Sequence, residues 1–209
     1  MEVEAKYAID DAGWQLVPTL RTVGAFTLVA APMPEQQQNI YFDTPAYALR
    51  AAGYGLRLRM IGDRRIATLK GPAHIRNGIH ERSEWEIDVA TDQPASWPAG
   101  DLRNRALALA QGGELRPILT ITTQRRHLYA WHAQRQIAEI SLDDACISVA
   151  GHEERFRELE AELLPDAPRE LFDAFVHALG EVLTLTPQSI SKLARGFVLL
   201  DQMRPAAQR

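Results

Sequence analysis

Glutamates at alternate positions are the first chemical feature of this 209-residue sequence. Glu2 and Glu4 stand at the start of the chain, and the same spacing returns in Glu158, Glu160 and Glu162. Successive side chains of a β-strand point to opposite faces, so acids two residues apart share one face. Their carboxylate oxygens are hard ligands of the kind that Mg²⁺ and Mn²⁺ prefer. This spacing therefore indicates a site for a divalent cation.

Basic residues form a second set, part of which has the same spacing. Arg57 and Arg59 alternate with apolar residues, and Lys6 continues the alternation of Glu2 and Glu4. The whole cationic set is Lys6, Arg57, Arg59, Lys70, Arg82 and Arg125. Arginine binds phosphate oxygens in a bidentate manner, whereas lysine supplies a point charge. Acids for a metal together with bases for phosphate are typical of a phosphoanhydride site.

Strands must position these residues, because charged and apolar residues alternate in many segments. We predict strands at 2–7, 39–43, 53–60, 65–70, 82–89, 118–131, 136–143, 147–150 and 156–163. The strands 118–131 and 136–143 are expected to form an antiparallel pair. Each charged row is explained most simply as the solvent face of a half-buried sheet. Acids at this spacing on three strands, and arginines on another, instead favour a closed antiparallel barrel with a charged interior.

Helices are predicted to cover the apolar outer faces of this barrel. The helical segments are about 11–24, 102–111, 168–180 and 189–203, although Pro18 is unfavourable inside the first. No repeat or linker interrupts the chain, so we expect a single α+β domain over 1–203. Its barrel would span about 1–164, its C-terminal helices about 166–203, and residues 204–209 would form a tail.

Composition excludes several classes of protein. The chain is 46% hydrophobic and 24% charged, which is unlike a disordered protein. A single cysteine, Cys146, excludes an internal disulfide framework and a cysteine-built zinc site. The net charge of −4 argues against nucleic acid or an anionic membrane as partner. No apolar run approaches the roughly 20 residues of a membrane span, and the charged start is unlike a signal peptide. We therefore expect a cytoplasmic protein.

The ordered motifs resemble those of the CYTH family, the triphosphate tunnel metalloenzymes. Glu2-x-Glu4-x-Lys6 resembles the ExExK signature of that family. The other matching segments, in the order of the family, are Tyr41-Phe42-Asp43-Thr44-Pro45, Leu56-Arg57-Leu58-Arg59, Thr68-Leu69-Lys70-Gly71-Pro72, Arg82-x-Glu84-x-Glu86, Glu139-x-x-x-Asp143, Glu158-x-Glu160-x-Glu162 and Ser191-Lys192-x-x-Arg195-Gly196. The resemblance covers about residues 1–200. It implies an eight-stranded antiparallel barrel that forms a tunnel, which agrees with the polarity pattern.

The resemblance also implies roles for individual residues. The ligands of Mg²⁺ or Mn²⁺ would be Glu2, Glu4, Asp143, Glu158, Glu160 and Glu162, with Glu158 and Glu160 favoured on their strand and Glu139 as a further candidate. The triphosphate would be held by Lys6, Arg57, Arg59, Lys70, Arg82, Arg125, Lys192 and Arg195. The catalytic set would be Glu2, Glu4, Lys6, Lys70 and Lys192, while Glu84 and Glu86 orient the cations. Strict alternation lets only one of Arg125 and Arg126 face inward, and family spacing favours Arg125.

Plainer interpretations stand beside these roles. The acids would then form a surface patch, and Lys192 and Arg195 would be solvated positions of the last helix. His74 and His80 fall in or near a predicted loop, where histidines are most often exposed.

Metal-dependent hydrolysis of inorganic triphosphate to pyrophosphate and phosphate is the activity that the resemblance favours. A thiamine or nucleoside triphosphatase and a class IV-type adenylate cyclase share the same motifs and stay open. A polyphosphate-binding module without catalysis is the alternative from a different class. Many family members precede a helical CHAD domain, so a longer parent protein with that domain is considered. The residues do not distinguish a monomer from a homodimer.

Overall fold

The computed structural model describes residues 1–76 and 78–203, so the tail predicted at 204–209 lies outside the described residues. The described strands are β1 (Glu2–Ile9), β2 (Thr22–Val23), β3 (Phe26–Ala30), β4 (Glu35–Asp43), β5 (Gly55–Ile61), β6 (Arg64–Lys70), β7 (His74–Arg76), β8 (Ile79–Arg82), β9 (Glu84–Asp88), β10 (Arg116–His132), β11 (Arg135–Val149), β12 (His152–Leu163) and β13 (Leu185–Pro187). The helices are α1 (Asp11–Leu16), α2 (Ala48–Ala51), α3 (Asp101–Ala110), α4 (Arg169–Val182) and α5 (Lys192–Gln202). The fold is therefore α+β, as expected.

The strands form one antiparallel sheet. Its order is β7-β8-β1-β12-β11-β10-β4-β5-β6-β9, with β13 on β1, β3 on β10 and β2 on β3. The hydrogen-bonded path ends at β7 and β9 without joining them, and the described sheet has 13 strands. The prediction of a closed eight-stranded barrel is therefore wrong in closure and in strand number.

The break in the sheet has a local cause. The segment predicted as one strand over 82–89 is interrupted at Ser83. Residues before Ser83 pair with β1, whereas residues after it pair with β6. The single row of alternating charges is thus divided between two strands, β8 and β9, which pair with β1 and β6 respectively. The alternation pattern alone does not reveal this break.

The open sheet nevertheless curls strongly. The Nζ atom of Lys70 on β6 lies 2.5 Å from Oε1 of Glu2 on β1, although five strands separate β1 from β6 along the sheet. The backbone N–H of Gly71 also donates to the carbonyl of Ser83 at 2.9 Å. The two ends of the sheet are therefore close enough for their side chains to meet, and the sheet encloses a concave face.

Apolar side chains on the convex face lie beneath helices, as predicted. Leu128, Ile140 and Leu159 pack with Phe172 and Phe175 of α4 in the largest core. A second core lies at the other end of the sheet, where α3 covers β5, β6 and β9; it includes Leu56, Leu58, Leu69, Trp97 and Leu102. Burial of these apolar faces leaves the charged faces of the strands directed inward.

Helix α5 takes a different position, inside the curl of the sheet. It packs on Ile121 and Ile147, which lie on the same face of the sheet as the charged residues of their strands. Gly196 permits this approach, because a Cβ atom there would lie 2.6 Å from Leu119 Cδ2. The concave face is thus apolar beneath α5 and charged beyond it.

Two other predictions differ from the structure. The helix predicted over 11–24 ends at Leu16, followed by a 3₁₀ turn at Val17–Thr19 and then by β2 and β3. Pro18 explains the early end, since proline lacks the N–H that an α-helix needs. The predicted antiparallel pairing of 118–131 with 136–143 is confirmed, but 136–143 and 147–150 belong to one strand, β11.

Within residues 1–76 and 78–203, no helix has both the length and the hydropathy that a membrane span requires.

Candidate functional site

A cavity of about 530 Å³ lies on the concave face of the sheet. Its charged lining comes from strands β1, β5, β6, β8, β9, β10 and β12, from Arg50 of α2 and from the first residue of α5. The predicted site residues in this lining are Glu2, Glu4, Lys6, Arg57, Arg59, Lys70, Arg82, Glu84, Glu86, Arg125, Glu160, Glu162 and Lys192. The structure therefore brings most of the predicted site residues to one place.

Glu2 and Glu4 on β1 are held in ion pairs with three cations, of which Lys6 is buried and the other two are partly buried. Arg82 contacts both carboxylates, at 2.6 Å to Glu2 and 2.5 Å to Glu4. Lys70 contacts Glu2 at 2.5 Å, and Lys6 contacts Glu4 at 3.1 Å. This end of the cavity is therefore a network in which the predicted metal ligands contact the predicted phosphate-binding residues.

A second acidic group lies deeper, where β11 and β12 pair. Ligand atoms of Asp143, Glu158 and Glu160 all lie within 4.8 Å of one another, and all three residues are buried. The ammonium group of Lys192 lies 2.9 Å from Asp143 and 3.0 Å from Glu160, and it also contacts Glu158. Arg125 forms a bidentate pair with Asp143 at 2.7 and 2.6 Å.

Two arginines on β5 contrast with these paired charges. Arg57 donates to the hydroxyl of Thr68 at 3.2 Å, and Arg59 donates to the side-chain oxygen of Asn39 at 3.0 Å. Within residues 1–76 and 78–203, neither guanidinium pairs with a carboxylate. The β5 side of the cavity thus carries uncompensated positive charge.

The environment shifts the pKa values of the acids in both directions. Burial of Glu2 favours its neutral form, but the charges of Lys70 and Arg82 outweigh burial and lower its pKa to about 2. Burial and the neighbouring Glu2 raise the pKa of Glu162 to about 7. Glu2 therefore stays ionised at neutral pH, whereas Glu162 is partly protonated.

The deeper group shows the same split between neighbouring carboxylates. Burial opposes ionisation of Glu160, yet Lys192, Lys6 and Arg125 hold its pKa well below the ordinary value. Burial raises the pKa of Glu158 to about 7 despite Lys192, and the charge of Glu160 adds to this effect. Two close carboxylates cannot both ionise at low cost without a further cation.

The β5 arginines are affected in the opposite way. Burial, followed by repulsion from Arg57 and Arg125, lowers the pKa of Arg59 to about 10. Arg59 stays protonated at neutral pH, but its charge is unfavourable in the absence of an anion. A negatively charged ligand beside Arg59 would relieve this repulsion.

Local structure fixes the position of Lys192. The hydroxyl of Ser191 caps α5 by accepting from the N–H of Ala194 at 3.1 Å. Lys192 therefore occupies the first turn of the helix, where a positive charge opposes the helix dipole and gains stability only from nearby acids. At the other end of α5, Arg50 binds Asp201 in a bidentate manner at 2.9 and 2.5 Å, which ties α5 to α2.

Some predicted residues lie elsewhere. Arg195 pairs with Glu154 at 3.2 Å and stacks over the Phe156 ring, so it does not line the cavity. Glu139 is hydrogen-bonded to His127 at 2.7 Å and is separate from the Asp143 group. Arg125 is buried and Arg126 is exposed, which confirms the predicted choice between them.

The two proposed orienting acids both line the cavity. Glu84 contacts Lys70 at 3.3 Å, and Glu86 accepts from the Thr68 hydroxyl at 3.4 Å. Only Glu84 therefore contacts one of the predicted phosphate-binding cations directly. Glu86 reaches Arg57 through Thr68, whose hydroxyl accepts from that guanidinium.

The sequence patterns missed the neutral polar part of the lining. Gln37, Asn39 and Thr123 are buried residues of the cavity wall. Thr123 could have been found by strand parity, since it lies two residues before Arg125 on one face of β10. His80 is buried on β8 and its Nε2 lies 2.8 Å from the carbonyl of Gln188, so the expectation of an exposed loop histidine is wrong.

Comparison with known families identifies the chain. The model of the CYTH domain matches residues 1–197. The chain belongs to the CYTH domain family. Apart from Glu158, the charged residues of the ExExK, Arg-x-Arg and Glu-x-Glu-x-Glu segments, on which the resemblance rested, all line one cavity.

Solved structures share the CYTH fold at low sequence identity. A Hippeastrum protein, described as a candidate adenylyl cyclase with a dominant triphosphatase activity, is 19% identical with a TM-score of 0.66, covering 95% of this chain and 96% of that one. A candidate adenylate cyclase from Bacillus halodurans is 21% identical with a TM-score of 0.62, covering 94% and 97%. The mimivirus capping enzyme triphosphatase is 12% identical with a TM-score of 0.53, covering 87% and 89%.

CYTH triphosphatases depend on a divalent metal, and the residues present fit one. Asp143, Glu158 and Glu160 offer buried carboxylate oxygens within 4.8 Å of one another, the donor type that Mg²⁺ and Mn²⁺ prefer. The raised pKa of Glu158 also fits, because a cation placed among these carboxylates would favour its ionised form. Glu2 and Glu4 belong to a neighbouring network and are not in this group of three.

Proposed function

We propose that residues 1–203 act as one triphosphatase domain that hydrolyses inorganic triphosphate to pyrophosphate and phosphate inside the cavity, with Mg²⁺ or Mn²⁺ as cofactor. The observation that carries this proposal is the opposition of two walls. Arg57 and Arg59 form a cationic wall without carboxylate partners among the described residues. The acids of β1 and β12 form the other wall, and Asp143 and Glu158 lie next to Glu160 outside the lining. A linear polyanion bound with divalent metal is complementary to both walls.

The arginine wall binds the phosphoryl groups. Arg57 and Arg59 are separated by one residue on β5, so their guanidinium groups lie on one face and can hold neighbouring phosphoryl groups. Arg125 and Lys192 pair with the acids and also line the cavity, so both can contact the same substrate. Binding of the polyanion would also relieve the repulsion that lowers the pKa of Arg59.

Hydrolysis then requires attack of water on the terminal phosphorus. The new bond joins the water oxygen to that phosphorus, the bridging P–O bond breaks, and pyrophosphate leaves. Arginine and lysine side chains stabilise the negative charge that develops on the leaving oxygen. We assign this role to Lys6, Lys70 and Lys192 together with the arginines. Bound metal, held by Asp143, Glu158 and Glu160, would neutralise further phosphate charge.

A triphosphate with an organic group is the second candidate substrate. Part of the cavity lining is apolar and comprises Tyr54, Pro72, Ile190 and Leu193. Such a surface can bind a thiamine or nucleoside group, whereas inorganic triphosphate would leave it unused. The described activity of the Hippeastrum protein supports triphosphatase chemistry over cyclisation.

The test is release of phosphate from inorganic triphosphate, ATP and thiamine triphosphate, each with Mg²⁺, Mn²⁺ or EDTA. Cyclic AMP is measured in the ATP reactions. Arg59→Gln serves as the site variant and Arg126→Gln as its matched control, because Arg126 is an exposed strand arginine outside the cavity.

Each outcome decides between the candidates. Fast metal-dependent cleavage of inorganic triphosphate that is lost in Arg59→Gln supports the proposal. Preference for ATP or thiamine triphosphate would show that the substrate is a triphosphate with an organic group. Formation of cyclic AMP would show that the protein is a cyclase. Binding of triphosphate without cleavage under all conditions would leave a polyphosphate-binding module.

A further inference from the structure

A buried hydroxyl without a partner lies in the wall of the cavity. Thr123 on β10 is 2% exposed and lines the cavity. Its Oγ1 atom has no hydrogen-bond partner among the described residues. The large majority of buried polar side-chain atoms in folded proteins are paired, because an unpaired one destabilises the structure. Because Thr123 lines the cavity, rotation of its side chain can present this hydroxyl to a molecule bound there.

Neighbouring side chains on the two flanking strands do not supply that partner. Thr123 is opposite Gln37 on β4 and Ala145 on β11. The amide of Gln37 donates to Glu35 at 2.6 Å, and Ala145 has no polar side-chain atom. Both guanidinium nitrogens of Arg125 that form hydrogen bonds in the cavity donate to carboxylates.

Cationic side chains lie on the strands around Thr123. Arg125 lies two residues further along the same face of β10. Arg59 lies opposite Asn39, which neighbours Gln37 on the same face of β4. The Nε atom of Arg57 is a second buried donor without a partner among the described residues, and it belongs to the same cavity. Two unpaired donors beside clustered arginines indicate an anion with several acceptor oxygens.

We propose that Thr123 is a further substrate-binding residue, whose Oγ1–H donates a hydrogen bond to a non-bridging phosphoryl oxygen of the triphosphate beside Arg59 and Arg125. This inference rests on the proposed function and deepens it, since it adds a neutral donor to the charged residues proposed to bind the substrate. Phosphoryl oxygens are strong acceptors, and a hydrogen bond to a charged group stabilises more than one between neutral groups. No covalent bond forms or breaks at Thr123.

The test compares three variants on one strand. Thr123→Val removes the hydroxyl and keeps the shape, Thr123→Ser keeps the hydroxyl, and Thr122→Val makes the same change on the exposed opposite face. Affinity for inorganic triphosphate is measured by calorimetry in EDTA, where turnover does not interfere. Thr123→Val should weaken binding about 10- to 100-fold. Thr123→Ser should stay within a few-fold of the unmodified protein, and Thr122→Val should match it.

Stability of the ligand-free protein separates binding from a structural role. Because Thr123→Val replaces an unpaired hydroxyl by a methyl group, the melting temperature without ligand should be unchanged or higher. A structural threonine would instead lower that temperature. In the metal-dependent assay, KM for triphosphate should rise more than kcat falls, because the hydrogen bond already forms in the bound substrate.

The results keep this inference distinct from the proposed function. Unmodified protein that binds neither inorganic triphosphate nor ATP nor thiamine triphosphate would overturn both. If the unmodified protein binds triphosphate and Thr123→Val binds it equally well, only the inference about Thr123 is overturned. Non-additive losses in the double variant of Thr123→Val and Arg59→Gln would support a shared phosphoryl group, whereas fully additive losses would contradict it.

Discussion

The ammonium group of Lys192 lies 2.9 Å from the carboxylate of Asp143, which is completely buried. The same ammonium contacts Glu158 and Glu160, so one cation from α5 sits among the three acids that can hold a metal. Burial works against its charge, yet these acids raise the pKa of Lys192 above its ordinary value. Lys192 is therefore positively charged at neutral pH, and its ammonium group occupies the space among the three acids that can hold a metal ion.

Lys192→Met should increase the affinity for divalent metal. The ammonium and the metal compete for the same oxygens, so its removal should tighten Mn²⁺ binding by about tenfold or more in calorimetry without substrate. The same variant should melt at a lower temperature in EDTA, because Glu158 loses its ion-pair partner and Asp143 and Glu160 each lose one of theirs. Arg195→Met is the control on the same helix, since Arg195 pairs with Glu154 outside the cavity. Weaker or unchanged Mn²⁺ binding would show that the ammonium does not compete with the metal.

Arg59→Gln should weaken binding of triphosphate without destabilising the ligand-free protein. The lowered pKa of Arg59, about 10, shows that burial and its arginine neighbours make its charge unfavourable without ligand. Removing the charge should raise or preserve the melting temperature of the ligand-free protein, and Gln can still donate to Asn39. Affinity for inorganic triphosphate should fall roughly 10- to 100-fold, as expected for loss of a charge-assisted contact. A large loss of ligand-free stability would instead assign Arg59 a structural role.

Glu4→Gln should remove metal-dependent turnover. The Glu4 carboxylate lies 2.5 Å from Arg82 and 3.1 Å from Lys6, so the change leaves two buried cations short of a counter-charge. We expect phosphate release to fall roughly 100-fold or more while circular dichroism stays unchanged. Glu153→Gln, at an exposed position of β12, is the control. Near-normal turnover in Glu4→Gln would remove Glu4 from the catalytic set.

Much of the cavity was predictable because strand alternation is a strong constraint. The period of two placed Arg57 with Arg59, and Glu2 with Glu4, on common faces, and it let only one of Arg125 and Arg126 face inward. The choice of Arg125 came from the spacing of the family. The family resemblance rested on the order of these motifs along the chain, which is the order found in the family. These features depend only on residues within one strand.

Features that depend on tertiary contacts were not predictable. The break at Ser83 follows from pairing with two different strands, and the position of α5 inside the curl follows from the close approach at Gly196. Short strands such as β7 carry little intrinsic preference and form only because a neighbour pairs with them. Strand parity places Thr123 on the inner face of β10, but only its burial and its lack of a hydrogen-bond partner among the described residues single it out.

His127 offers a pH-dependent test at a distance from the acidic group. Its Nδ1 atom lies 2.7 Å from Glu139, and this hydrogen bond, opposed by burial, raises the pKa of His127 above its ordinary value. Because the pKa of His127 is higher in the folded than in the unfolded state, protonation of His127 stabilises the fold. This contribution is complete below the unfolded-state pKa of about 6.5 and is lost as pH rises through the folded-state pKa.

Protonation of Glu139 limits the stabilisation by this pair at low pH. Burial favours the neutral form of Glu139, but His127 outweighs it and lowers the pKa of Glu139. The contribution of Glu139 is therefore present above its unfolded pKa and lost as pH falls through the folded one. The pair should stabilise the protein most between these two limits, in mildly acidic solution.

His127→Gln should therefore lower the melting temperature at pH 6 and have a much smaller effect at pH 9. Thermal unfolding in EDTA at half-unit pH steps measures this difference without interference from metal. His152→Gln, at an exposed end of β12, is the control and should give a difference that does not change across the range. A loss of stability in His127→Gln that is equal at pH 6 and pH 9 would mean that the ring contributes packing alone and that its charge is not stabilised by Glu139.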